Sequence, residues 1–67
     1  MNFRVELLQF RAKNNLTQKQ VAEIFGVHIN SIAKYEMGCT TPRTTNKIKF
    51  ENKMKEWEES NNENVSL

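Results

Sequence analysis

The sequence has no aspartate, one cysteine (Cys39), one histidine (His28), one proline (Pro42) and two glycines in 67 residues. Without aspartate, most acid–base and carboxylate–metal chemistry has little to work with. A lone cysteine excludes an intrachain disulfide, and with a lone histidine it gives no reason to expect a metal site. No apolar run approaches the roughly 20 residues that span a bilayer, and Met1-Asn2-Phe3-Arg4 does not open like a signal peptide. The expectation is a soluble, cytoplasmic chain with no membrane partner, no cofactor and no small-molecule substrate. Its length allows one small domain with no inter-domain cleft, stable only if its helices pack well or it dimerises. No catalytic set is present, and an enzyme is not expected.

The net charge of +2 hides an uneven distribution. Residues 1–55 carry all ten Lys and Arg against four glutamates, a surplus of six. Residues 56–67 carry four glutamates and no base. A basic body with an acidic end points to a polyanionic partner for the body.

Apolar spacing and capping residues predict four helices and no strand. The first covers residues 3–14, with Phe3, Leu7 and Phe10 at three-to-four spacing, Asn2 as cap and Asn14-Asn15 as stop. Thr17-Gln18-Lys19-Gln20 is a capping box that opens a second helix over 18–25, ended by Gly26. A third follows over 29–37, with Ile32 and Tyr35 inward and Gly38 as a left-handed cap. Pro42 bars helix before it, and Thr44 or Thr45 can cap a long last helix over about 45–59. In that helix Ile48, Phe50, Met54 and Trp57 include an i, i+4, i+7 stripe. Residues 1–59 are read as the domain and 60–67 as a flexible acidic tail.

Gln18 to Tyr35 reads as one unit. Two short helices joined by a three-residue turn containing glycine must cross steeply. Small Ala22 lies at the crossing, Gly26 supplies the positive φ, and Val27 plugs the turn into the core. In register these make a helix-turn-helix. With Ile32 and Tyr35 inward, the third helix presents His28, Ile29, Asn30, Ala33, Lys34 and Met37 outward. Asn30 can pair with an adenine edge, Lys34 can reach guanine O6/N7, and Ile29 or Ala33 can touch a thymine methyl.

The stretch LTQKQVAEIFGVHINSIAKYEMGCTTP, from Leu16 to Pro42, resembles the helix-turn-helix of the Cro/cI-type (Xre-like) phage repressor family. Leu16-Thr17-Gln18 and Glu36-Met37-Gly38 match the segments that open the family's second helix and close its third. The resemblance implies a compact all-α, lambda-repressor-like fold. It also implies a sequence-specific regulator of transcription, in a bacterial or phage-infected cell, that binds double-stranded DNA in the major groove. Its base-reading positions fall on Ile29, Asn30, Ala33 and Lys34, and a phosphate contact falls on Gln18. Lys19, Thr40, Thr41 and Arg43 flank the recognition helix and could grip the backbone. Arg11 and Glu36 match a pair that in several members joins the first and third helices.

The expected role is a repressor acting as a homodimer on an inverted-repeat operator. Alternatives are an excision factor, an antitoxin's operator-binding part, or a protein-interaction module on the same scaffold. Phe50, Met54 and Trp57 are either core against the first helix or a dimer seam, with the seam favoured because little chain remains to cover Trp57. His28 is expected to cap a helix or sit at a groove edge, Cys39 to be an incidental loop residue, and the lysines of the last helix to form a solvated face.

Overall fold

The computed structural model describes residues 2–61. They form four helices: α1 (Phe3–Asn14), α2 (Gln18–Phe25), α3 (Ile29–Met37) and α4 (Thr44–Asn61), with no strand among the described residues. No helix among them is long and apolar enough to cross a membrane.

Local chemistry sets most of the boundaries. The Asn2 side chain accepts from the Val5 N–H at 2.9 Å, and Asn15 ends α1 in left-handed geometry at φ 55°. The capping box at Thr17 is complete: the Gln20 N–H donates to the Thr17 hydroxyl, and the Thr17 N–H donates to the Gln20 side-chain oxygen at 2.8 Å. Gly26 (φ 74°) and Gly38 (φ 78°) end α2 and α3, where a residue with a β-carbon would be strained. His28 caps α3, its Nδ1 accepting from the Asn30 N–H at 3.1 Å. The ring nitrogen is therefore engaged in holding the helix start.

α4 differs from the sequence expectation at both ends. Neither threonine caps it. Arg43 takes that place, its carbonyl accepting from the Lys47 N–H at 2.7 Å. At the other end the Asn61 side-chain amide donates to the Trp57 carbonyl at 2.8 Å, satisfying a last-turn acceptor and carrying the helix two residues past Glu59. The start of the expected tail is thus helical, and residues 62–67 lie outside the described residues.

The core is a knot of rings and aliphatics from all four helices: Phe3, Leu7 and Phe10; Val21, Ala22 and Phe25; Ile32; Phe50 and Met54. Phe50 and Met54 are 5% and 7% exposed within the single chain, so they have almost no surface left for a partner. Trp57 is half-buried, edge-on to Phe10 with centroids 5.8 Å apart. Phe50 and Met54 thus belong to the intrachain core, the first of the two readings of this stripe. The cover for Trp57 comes from α1, which the spacing of α4 alone could not reveal. Ile48 is not on this stripe: it is 53% exposed, because two residues before Phe50 is about 200° around the helix.

α4 is tied to α1 by polar contacts as well. The Asn14 side-chain amide donates to the Phe10 carbonyl and to Glu58 Oε2 at 2.8 Å, and Lys13 stands 3.6 Å from Glu58. Further along the same junction, burial pushes the Glu6 carboxyl up. The neighbouring Glu51 carboxyl pushes the same way, against the pull of Lys47.

Candidate nucleic-acid interface

α2 and α3 pack directly on each other, and Ala22 of α2 is buried, 4% exposed. A larger side chain there would push the helices apart. Ile32 is fully buried and Tyr35 packs edge-on to Phe3 at 5.6 Å, which fixes the rotation of α3 about its axis. The opposite face is left outward. Asn30, Lys34 and Met37 are exposed, Ile29 is 38% exposed, and Ala33 is half-buried between them. Among the described residues, the side chains of Asn30 and Lys34 have no hydrogen-bond or ion-pair partner.

The start of α2 lies beside this face. The backbone N–H of Gln18 and of Lys19 have no acceptor among the described residues, because the capping box satisfies only Gln20 and Thr17. Two open donors at the positive end of a helix suit an anion. The Lys19 side chain is exposed there. Gln18 is half-buried, and its side-chain amide donates to Glu36 Oε1 at 2.9 Å, an engagement with no local signal in the sequence. One N–H of that amide and its oxygen remain for another partner.

Glu36 organises the junction. Its Oε1 accepts from Arg11 Nη1 at 2.6 Å as well as from Gln18, while Arg11 Nε donates to the Leu16 carbonyl at 2.9 Å. The Glu36 side chain is 8% exposed and that of Arg11 31%. Oε2 of Glu36 is buried without a hydrogen-bond partner among the described residues. One carboxylate oxygen thus joins α1, α2 and α3, and holds the α2 N-terminus in register with the outward face of α3.

Beyond α3, Cys39, Thr40, Thr41 and Arg43 are exposed and Pro42 is buried, so the segment runs along the surface pinned by its proline. No group of three or more His, Cys or Glu side chains that could hold a metal occurs among the described residues.

The helix-turn-helix family profile matches residues 7–55, most of the chain and all of the α2–turn–α3 unit. The chain belongs to the helix-turn-helix family of Cro/cI (Xre) type. It is accordingly a DNA-binding regulatory domain, of a family that is generally non-enzymatic. No curated protein and no solved structure matches the chain. In a helix-turn-helix protein the second helix of the pair enters the major groove while the first crosses the backbone. Sequence reasoning missed one basic residue at this surface, Arg4, whose side chain reaches the end of α3 from the first turn of α1.

Proposed function

We propose that this helix-turn-helix protein is a transcriptional repressor that binds an inverted-repeat operator as a homodimer in the cytoplasm of a bacterial or phage-infected cell. In this reading Ile29, Asn30, Ala33 and Lys34 meet base edges. Gln18, Lys19, Thr40, Thr41 and Arg43 meet phosphates, with the open N–H groups of α2 beside Gln18. Half-sites would lie about one helical turn apart, roughly 34 Å. In this reading repression follows by occlusion of a promoter.

The observation that carries the reading is the outward face of α3. Its polar members, Asn30 and Lys34, are exposed and unengaged among the described residues, while the opposite side of the same helix is locked into the core through Ile32. An interaction module on the same scaffold is the second reading, favoured by exposed Met37 and Ile29 on that face.

Selection of bound sequences from a random duplex pool separates the two. A palindromic consensus is expected, and a single asymmetric half-site would remove the homodimer. No enrichment from a folded sample would overturn DNA recognition in favour of the interaction module.

A further inference from the structure

The side chain of Arg4 leaves the first turn of α1 and crosses to the far end of α3. Its Nε–H donates to the Glu36 carbonyl at 2.7 Å, a contact 32 residues apart in sequence. Its Cδ lies 3.6 Å from where a β-carbon on Gly38 would stand. A cation bonded to a last-turn carbonyl is favourable, because that end of a helix is negative and its carbonyls are otherwise open. This explains where the guanidinium is held, but it does not neutralise its charge.

Arg11, two turns further along the same α1 face, is neutralised by the Glu36 carboxylate at 2.6 Å. Arg4 has no carboxylate at ion-pair distance among the described residues, and the residue is exposed. Among the described residues Nε alone is engaged, and both terminal nitrogens have no partner. The segment that starts beside it, Cys39-Thr40-Thr41, is exposed and carries no charge.

We infer that Arg4 is a phosphate-contacting residue of the DNA interface, supplying at the end of the recognition helix the positive charge that Cys39 to Thr41 lack. The inference rests on the reading of α3 as the helix that lies against DNA. A guanidinium presents its donors in a planar fork that matches two phosphate oxygens. With Nε fixed on Glu36, the fork is oriented before DNA arrives, so less side-chain freedom is lost on contact.

The test is an anisotropy titration of labelled mixed-sequence duplex DNA with the full chain over a salt series, for wild type, Arg4→Gln and Arg4→Lys. Each neutralised phosphate contributes about 0.9 to the slope of log affinity against log salt. Arg4→Gln is expected to flatten the slope by about that amount, so the wild-type advantage shrinks about three- to fourfold over a fourfold rise in salt. Arg4→Lys keeps the charge and is expected to keep most of the slope.

An Arg4→Gln protein that is folded by circular dichroism, melts lower and keeps the full wild-type slope would make Arg4 a helix cap only and overturn the inference. A wild-type chain with no salt-dependent binding to this DNA would instead overturn the underlying reading. That failure is visible in the wild-type curve alone.

Discussion

The phenyl ring of Phe50 lies flat on that of Phe25, with centroids 4.6 Å apart and planes 4° from parallel. The same ring meets Phe3 at 6.0 Å and Tyr35 at 6.1 Å, so one side chain of α4 touches a ring from each of the other three helices. In so small a domain this is where α4 is joined to the helix-turn-helix.

Phe50→Ala is expected to cost about 3–5 kcal/mol, the usual range for emptying a buried aromatic site. Thermal melting by circular dichroism measures it. Sedimentation under folding conditions should show the wild-type oligomeric state, whatever that is, because Phe50 has no surface to offer a second copy. A change of oligomer without loss of stability would contradict the core assignment.

The carboxylate of Glu36 is buried, and its main compensation is Arg11. Arg11→Ala leaves that charge with Gln18 alone and is expected to destabilise by about 1–3 kcal/mol, below the range for fully buried pairs because Arg11 is partly in water. The paired replacement Arg11→Met with Glu36→Leu should recover part of the loss in urea denaturation. If the double variant were the less stable one, burial of Glu36 would not be the source of the cost.

On the outward face of α3, Asn30→Ala and Lys34→Ala should leave the melting temperature unchanged. Each should weaken binding to the selected operator by about 1–3 kcal/mol while leaving non-specific duplex binding nearly intact. An equal loss on both kinds of DNA would reassign the residue to phosphate contact. Gln18→Ala should weaken all sequences alike and also lower stability, since its amide serves Glu36.

Glu6 gives a pH dependence. Its carboxyl keeps its proton to higher pH in the folded chain than in the unfolded one, through burial first and then through Glu51. Between those two values the folded state binds more protons, so stability falls as pH rises through that window and stays lowered above it. Glu6→Gln should therefore be more stable than wild type at neutral pH, with the difference vanishing below the ordinary carboxylate range. Denaturation midpoints against pH decide it, and a difference that grows on acidification would refute it.

What the sequence disclosed was local. Asn2, Thr17 with Gln20, Gly26 and Gly38 act within a few residues of themselves, and each ends or begins a helix as its chemistry requires. The rotation of α3 was also legible, because Ile32 and Tyr35 leave only one face outward. The hidden features depend on segments far apart in the chain. Gln18 meets Glu36 across 18 residues, Arg4 meets the Glu36 carbonyl across 32, and Asn14 meets Glu58 across 44. Trp57 looked uncovered for the same reason: nothing in the spacing of α4 announces that Phe10 stands against it.

The rotational lock on α3 has an evolutionary consequence. The side chains that hold the helix and those that face away from it are separate sets, and none of Ile29, Asn30, Ala33 and Lys34 is a core member or an ion-pair partner. The exposed pair, Asn30 and Lys34, can be rewritten almost independently of folding. A lineage carrying this scaffold can change that surface by exchange of side chains alone, without passing through an unstable intermediate.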